Sequence, residues 1–209
     1  MGLRDRWEER VLPRLTHQAL QAEPALTWRR DVCAGARGVV LEIGFGSGPN
    51  LEHYPAAVTT VLAAEPADLA WELAAERMAA FGRPVSRVAT DAASLPAADG
   101  SVDTVVSTWA LCTVPRVEDA LREARRVLRP GGTLRFVEHG LSPDARVARA
   151  QRRIQPWWGP VAGGCHVDRD VTALMTAAGL SVEVERAADV AGWPGRSWGW
   201  FTAGSARPA

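Results

Sequence analysis

The stretch LEIGFGSG, residues 41–48, decides the fold of this 209-residue chain. It joins the end of a short apolar run, Gly38–Ile43, to three glycines that alternate with single residues. An apolar run that ends in glycines is typical of a buried parallel strand. The glycines let the backbone turn sharply and approach a ligand without interference from a Cβ atom. A turn with a purely structural role stays open as an alternative.

The spacing of Gly44, Gly46 and Gly48 is G-x-G-x-G. The dinucleotide fingerprint has the wider spacing G-x-G-x-x-G, which presents a pyrophosphate to a helix N-terminus. The narrower spacing therefore favours an uncharged or zwitterionic ligand and disfavours an NAD-type dehydrogenase.

Strands and helices alternate on the C-terminal side of the glycine turn. We predict strands at Gly38–Ile43, Val58–Glu65, Val85–Thr90, Val102–Thr108, Thr133–Glu138, Leu180–Glu185 and Trp198–Ala203, and helices at Ala67–Phe81, Val117–Leu128, Ala145–Ile154 and Val171–Ala178. The run Arg129-Pro130-Gly131-Gly132 is a predicted helix stop, and the Pro/Trp/Gly-rich residues 156–160 are predicted to be irregular. This alternation indicates an α/β protein with a doubly wound sheet.

The first part of the chain has a different sequence pattern, typical of helices. An apolar residue recurs every four positions, at Leu3, Trp7, Val11 and Leu15, and charged residues fill the other faces. A second helix is predicted from Pro24 to about Val32. We therefore expect one domain over residues 1–209, with a helical cap at 1–35 and a core at 36–209. A lid and a membrane-surface anchor are alternatives for the cap; the short stripe and mixed charge make an anchor the least favoured.

Composition excludes several classes of protein. The chain has 24 basic and 24 acidic residues, so its formal net charge is zero. A nucleic-acid-binding protein that neutralises phosphates should carry a basic excess, so we expect no nucleic-acid partner. Every basic residue is arginine, which excludes a Schiff-base lysine and suggests a GC-rich, bacterial coding sequence. The three cysteines, with no secretory leader and no apolar run of ~18 residues, favour a reducing, cytoplasmic location without a membrane span.

Polar side chains follow the predicted strands. Glu65 ends the second strand and could accept hydrogen bonds from both hydroxyls of a ribose. Asp91 follows the third strand and could accept one from an adenine amino group, and Thr108-Trp109 follow the fourth. Ligands of open α/β sheets bind beyond the carboxyl ends of the strands, where the strand order reverses. Any one of the polar residues could merely cap a helix. The glycine turn, Glu65, Asp91 and Thr108 at one edge together predict a binding site.

These residues give the chain a resemblance to class I S-adenosylmethionine-dependent methyltransferases. LEIGFGSG is similar to the first motif of that family, Glu65 to its ribose-binding acid, and Asp91-Ala92 to its adenine-side motif. The resemblance implies a seven-stranded, mostly parallel, Rossmann-like sheet, whose last two strands form an antiparallel edge, and S-adenosylmethionine as cofactor without a metal. The cofactor-binding residues that it implies are Glu42, Gly44, Phe45, Gly46, Gly48, Asn50, Glu65, Pro66, Asp91, Ala92, Thr108 and Trp109.

A narrower resemblance is carried by residues 49–55, 111–114, 138–140 and 164–166, which are similar to a subgroup of methyltransferase-like small-thiol methyltransferases. It implies S-methylation of a small-molecule thiol. Quinone-biosynthesis and phospholipid methyltransferases share the cofactor motifs and are the alternative enzymes. A non-catalytic S-adenosylmethionine-binding protein is the alternative of another class.

The candidate catalytic residues are two histidines. His139 directly follows the fifth strand, which predicts a position near the transferred methyl group, and His166 lies in an aperiodic segment that could form a loop over the pocket. Either could act as a base near neutral pH, or could simply shape a loop. Trp157, Trp158 and Cys165 are candidates to contact an apolar acceptor. Packing of the tryptophans in the core and against the edge strands is the alternative. A metal site is disfavoured because Cys165 and His166 are adjacent and no second pair lies at ligand spacing.

Overall fold

We describe a computed structural model, which covers Leu20, residues 23–190 and residues 199–209. The amphipathic stripe from Leu3 to Leu15 and the start of the predicted last strand at Trp198 lie outside the described residues. Within the described part, none of the helices is long and apolar enough to cross a membrane.

A seven-stranded sheet organises the molecule. Its strands are β1 Gly38–Ile43, β2 Val58–Ala64, β3 Val85–Ala89, β4 Val102–Thr108, β5 Leu128–His139, β6 Leu180–Asp189 and β7 Trp200–Pro208. The helices are α1 Ala25–Cys33, α2 Asp68–Leu73, α3 Ala75–Phe81, α4 Val117–Val127, α5 Ala145–Val161 and α6 Val171–Ala177, and a 3₁₀ turn covers Leu51–His53.

The strand order is β3-β2-β1-β4-β5-β7-β6. Strands β1 to β5 pair in parallel, and β7 runs antiparallel to both β5 and β6. The order therefore reverses between β1 and β4, the place where a doubly wound sheet opens a crevice at the carboxyl ends of its strands. The predicted α/β, doubly wound, mostly parallel sheet of seven strands is confirmed.

Both faces of the sheet are buried. Successive side chains of a strand point to opposite faces, so each strand contributes to both. Leu41 and Val105 face a cluster that includes α4 and α6. Their chain neighbours Val40 and Val106 face a second cluster, which contains Trp28 of α1. All four strand residues are fully buried, and this explains why β1 and β4 read as continuous apolar runs in the sequence.

Several predicted boundaries differ from the structure. The helix predicted over Ala67–Phe81 is two helices that meet at Ala74, where the backbone N–H bonds to carbonyls two and three residues earlier and the side chain is fully buried. The predicted stop at Arg129–Gly132 lies inside β5. It forms an irregularity between the pairs that β5 makes with Val102 and Thr104 of β4.

The Pro/Trp/Gly-rich residues 156–160 were predicted to be irregular, and this prediction was wrong. Helix α5 continues through Pro156 and Pro160 to Val161. Both prolines lie on its exposed side, whereas Trp158 packs beside the buried Cys112, Cys165 and Val167. Tertiary packing of the inner face thus outweighs the helix-breaking tendency of proline, which costs ~3 kcal/mol in a helix interior.

Candidate active site

A cleft of about 650 Å³ opens at the carboxyl ends of β1 to β4. Nine of the twelve predicted cofactor-binding residues line it: Gly44, Phe45, Gly46, Glu65, Pro66, Asp91, Ala92, Thr108 and Trp109. Its volume lies within the range of small-molecule and cofactor sites. The strand ends bring together residues that are up to 65 positions apart in sequence, as the sheet order requires.

The glycine turn and Glu65 form one unit. Glu65 Oε2 accepts a hydrogen bond from the backbone N–H of Gly46 at 2.6 Å, and Oε1 accepts one from that of Ala67 at 2.8 Å. The side chain is buried, and desolvation raises the pKa of its carboxyl group, although these two bonds oppose that shift. The carboxylate is therefore held with a fixed orientation at the cleft wall, where its remaining lone pairs can accept hydroxyl protons.

Two glycines keep the turn open. A Cβ on Gly44 would lie 2.4 Å from the Cβ of Ala110, so only glycine fits between β1 and the segment after β4. Gly46 has φ +58° and faces open space, with nothing within 4 Å of a built Cβ. The room above Gly46 and the acceptor oxygens of Glu65 fit a nucleoside whose ribose approaches the backbone closely.

Asp91 marks the far side of the cleft. It accepts a hydrogen bond from the backbone N–H of Ala93 at 2.9 Å and forms an ion pair with Arg116. The bond from Ala93 and the guanidinium of Arg116 lower the pKa of the Asp91 carboxyl group. The ionised carboxylate is half exposed, so it remains open to a donor such as an amino group.

The other three predicted cofactor-binding residues do not line the cleft. Gly48 closes the turn against Leu51, Phe45 and Ala74. Glu42 and Asn50 lie beneath the turn, 1% and 0% exposed. The structure gives these three a supporting position and no direct place in the cleft wall.

Beneath the turn runs a buried polar network. Glu42 accepts hydrogen bonds from the Tyr54 hydroxyl at 2.6 Å and from Asn50 Nδ2 at 2.7 Å. Asn50 Oδ1 accepts one in turn from Arg29 Nη1 at 2.5 Å, and the same Nη1 donates to Thr108 Oγ1 at 3.0 Å. Burial raises the pKa of Glu42 to about 7, although these hydrogen bonds and the charge of Arg29 oppose that shift. The network connects α1, the turn after β1 and the end of β4, and so fixes the cleft floor.

Arg29 is a site residue that the sequence did not reveal. It is 2% exposed, lines the cleft, and places its guanidinium 5.1 Å from the ring centre of Trp109. Its Nε is buried and has no hydrogen-bond partner within the described residues. Desolvation lowers the pKa of Arg29, with nearby acidic groups opposing that effect. Helical spacing placed Arg29 on α1, but only the docking of α1 on the sheet brings it to the cleft.

Trp109 has an unusual backbone conformation. Its φ is +54°, the only positive value for a non-glycine residue in the described part of the chain. Glu138 at the end of β5 supports this turn: its carboxylate accepts hydrogen bonds from Ser107 Oγ at 2.6 Å and from the backbone N–H of Ala110, Leu111 and Cys112 at 3.1–3.2 Å. Such strain persists where the surroundings over-determine it, and it is enriched at functional sites.

One part of the cleft lining, after the ends of β4 and α5, has no charged side chain and is called here the uncharged wall. Trp109, Thr113, Ala162 and Gly163 line the cleft there, together with Leu20. The ionisable residues that line the cleft in the described chain are Arg29, Glu65, Asp91 and Arg116. None of these is a neutral amine or imidazole that could take a proton from an acceptor at the uncharged wall.

The predicted catalytic and acceptor-binding residues lie elsewhere. His139 is 4% exposed behind the wall, with Nδ1 3.4 Å from Cys165 Sγ and its ring against the edge of Phe201. His166 faces a separate depression, where Nδ1 is 3.3 Å from Gln155 Nε2 and 3.8 Å from Asp168. Trp157 is 81% exposed and Trp158 packs behind the wall, so neither forms it, contrary to our expectation. Cys165 is buried with Trp158.

Comparison with known proteins agrees with this geometry. Residues 41–136 match a methyltransferase domain family. A SAM-dependent methyltransferase of Thermotoga maritima, described as a possible histamine N-methyltransferase, shares the fold with a TM-score of 0.67 and 19% identity, over 97% of this chain and 100% of that chain. The chain thus carries a methyltransferase domain, and its resemblance to class I S-adenosylmethionine-dependent methyltransferases is confirmed.

The sequence relatives narrow the resemblance. Thiol S-methyltransferase TMT1B of Homo sapiens is 36% identical over 160 residues, which are 73% of this chain and 65% of that protein. Thiol S-methyltransferase TMT1A of Homo sapiens is 35% identical over 147 residues, 68% of this chain and 59% of that protein. The similarity to the thiol methyltransferase subgroup is confirmed, and the chain spans less than two thirds of the length of these relatives.

Proposed function

We propose that this protein transfers the methyl group of S-adenosylmethionine to the sulfur of a small, apolar thiol. The observation that carries the proposal is a single cleft with two different sides. One side presents Glu65 and the open glycine turn, which suit a ribose and its attached chain. The other side is an uncharged wall, which suits an apolar acceptor.

The cofactor would be held by residues whose positions are fixed by the fold. Glu65 would accept the ribose hydroxyls, Asp91 the adenine amino group, and the backbone at Gly44 and Gly46 would border the amino-acid portion. The guanidinium of Arg29 offers positive charge for a carboxylate at the cleft floor. When bound, S-adenosylmethionine supplies a methyl group on a sulfonium centre, open to in-line displacement.

The chain's own contribution is to position the cofactor and the acceptor and to exclude water. The buried network of Arg29, Asn50 and Glu42 fixes the floor, and Glu138 fixes the strained turn at Trp109. Holding two reactants in line can contribute ~7–11 kcal/mol to a rate enhancement. No step in this scheme requires a protein group to change its charge.

The uncharged wall favours sulfur as the acceptor atom. A thiol reacts as the thiolate, and with a pKa near 8.5 a few per cent of it is ionised at pH 7. An amine or a phenol usually needs a positioned base, and the described cleft places none at this wall. His139 and His166 remain proposals for that role only if the wall rearranges, because both lie outside the cleft lining.

The test is methyl transfer from isotope-labelled S-adenosylmethionine to matched panels of thiols, amines, phenols, quinols and lipids, followed by mass spectrometry. We expect label on apolar thiols and a much lower rate on their charged analogues. Glu65→Ala serves as the control without a ribose acceptor. Label confined to quinols or lipids would favour the alternative enzymes, and tight cofactor binding with no labelled acceptor would favour a binding protein.

A further inference from the structure

Two of the three cysteines form a pair behind the uncharged wall. Cys112 lies in the turn after β4 and Cys165 in the turn after α5, and the backbone N–H of His166 donates to the carbonyl of Cys112 at 2.8 Å. Both residues are free thiols, 2% and 8% exposed. The two side chains pack in one buried cluster, so they meet where the two segments meet.

The sulfur of Cys165 has several polar neighbours. Besides the thiol of Cys112, His139 Nδ1 lies 3.4 Å away, and Trp158 packs against the same cluster. The hydrogen bond from Cys112 and then that from His139 lower the pKa of Cys165, against the opposing effect of burial. The same bond and the burial raise the pKa of Cys112. Of the two thiols, Cys165 is therefore the more readily ionised.

This arrangement is one that redox chemistry uses. A stabilised thiolate reacts with peroxides, and a neighbouring thiol then resolves the product. Gly163 lines the cleft and lies two residues before Cys165 in the chain, so the pair is close to the cleft wall. Gly163 and Gly164 both have positive φ, at 60° and 82°, and form the turn between α5 and Cys165.

We propose that Cys112 and Cys165 are a redox modification site, at which a hydroperoxide converts the pair to an intramolecular disulfide that distorts the acceptor wall. The thiolate of Cys165 attacks the hydroperoxide ROOH, and Cys165–SOH and ROH are formed after protonation of the leaving oxygen. The thiol of Cys112 then attacks the sulfenic sulfur, the S–S bond forms, and water leaves. In sum, two thiols and one ROOH give one disulfide, ROH and water, and the peroxide is the oxidant.

The disulfide should affect the wall directly. An S–S bond is about 2.05 Å long, which is shorter than a non-bonded contact between two sulfurs, so its formation draws the two turns together. Thr113 adjoins Cys112, and Ala162 and Gly163 shortly precede Cys165 in the chain, and all three line the cleft. A misplacement of about 1 Å at a positioning surface can cost about a hundredfold in rate. The effect on methyl transfer rests on the proposed function; the formation of the disulfide does not.

The experiment treats the full chain with hydrogen peroxide and then labels the remaining thiols with N-ethylmaleimide after denaturation. Peptide mass mapping without reduction identifies linked cysteines. Cys112→Ala and Cys165→Ala are the test variants. Cys33→Ala is the matched control, because Cys33 is also a buried free thiol but lies under α1, away from the pair.

We expect a Cys112–Cys165 linkage in the wild type and in Cys33→Ala, its reversal by dithiothreitol, and no linkage in either test variant. Three labelled thiols after peroxide treatment, oxidation of Cys165 beyond the sulfenic acid without linkage, or linkage only between chains would each overturn the proposed site. These outcomes need no activity assay, so they are independent of the proposed function.

A second arm tests the effect on the wall. Peroxide should lower methyl transfer to a thiol at least tenfold in the wild type and in Cys33→Ala, and less than twofold in Cys112→Ala, while the affinity for S-adenosylmethionine changes little. A mapped disulfide with an unchanged transfer rate would refute the distortion. A protein with no transfer to any thiol, in which the disulfide nevertheless forms, would refute the proposed function and leave the redox site standing.

Discussion

Replacing Glu65 tests the cofactor side of the cleft most directly. Its two carboxylate oxygens already accept backbone N–H groups from Gly46 and Ala67, which leaves their other lone pairs for two ribose hydroxyls. Hydrogen bonds to a charged group contribute ~1.5–3 kcal/mol each. Losing both in Glu65→Ala should therefore weaken the binding of S-adenosylmethionine by ~3–6 kcal/mol, or roughly 10²–10⁴-fold in Kd.

Glu65→Gln should give a smaller loss. The amide keeps one acceptor oxygen. Its NH₂ group must face the backbone N–H of either Gly46 or Ala67, and two donor groups cannot hydrogen-bond to each other. We expect a ~10–150-fold rise in Kd, the equivalent of one charge-assisted bond. The assay is isothermal titration calorimetry with S-adenosylmethionine and S-adenosylhomocysteine, with thermal unfolding of each free protein measured in parallel.

Asp68→Asn is the matched control. Asp68 is three residues further on, its side chain is 85% exposed, and it pairs with Arg87 outside the cleft. Its replacement should leave Kd within twofold of the wild type. Because burial raises the pKa of Glu65, the wild-type affinity should also start to fall at a higher pH than the titration of a free glutamate, as the carboxylate is protonated. An unchanged Kd in well-folded Glu65→Ala would refute the assignment of this side of the cleft.

Gly46→Val should abolish cofactor binding because the side chain would occupy the open space above the turn. The control is Gly131→Ala, which imposes a similar left-handed φ strain far from the cleft and should leave Kd unchanged. Cofactor binding retained by Gly46→Val in calorimetry would show that the turn is merely structural. The pH profile of kcat/KM should break at the pKa of each acceptor thiol in a series, since the described cleft offers no base at the wall, and a break at one constant pH would instead indicate a protein base. Glu42 has a pKa of about 7 in the fold against 4.5 in the unfolded chain, so its contribution to stability is fully present below pH 4.5 and is lost as pH rises through 7. We measure the free energy of unfolding by urea titration at pH 4.5 and pH 8. Glu42→Gln should remove ~3 kcal/mol of the difference between the two pH values, and an equal difference in wild type and variant would contradict this prediction.

The predictable parts of the site are those that local sequence controls. Gly44, Gly46, Glu65 and Asp91 each sit at the end of a strand, and a strand end is recognisable from an apolar run followed by glycine or a polar residue. Because parallel strands share one carboxyl edge, the amino-acid sequence is enough to place these four positions together.

Residues that reach the site through packing could not be predicted in this way. Arg29 lies on a helix with an ordinary amphipathic pattern, and nothing local distinguishes it from the exposed Arg30. Trp157 and Trp158 are neighbours, so the turn of the helix sends one to solvent and the other behind the wall. The interpretation that both line the acceptor pocket was wrong, and packing, the alternative, describes Trp158, because α5 continues through these residues.

The sequence by itself determined the order of strands and helices, the glycine turn and the acids that follow the strands, because these depend on periodicity and on backbone freedom within a few residues. Only the tertiary structure decided which side chains form the floor and the acceptor wall. The docking of α1 on the sheet brings Arg29 beneath Trp109, and the packing of two turns brings Cys112 and Cys165 together behind Thr113. Those contacts join segments far apart in the chain, and their geometry follows from how the layers pack.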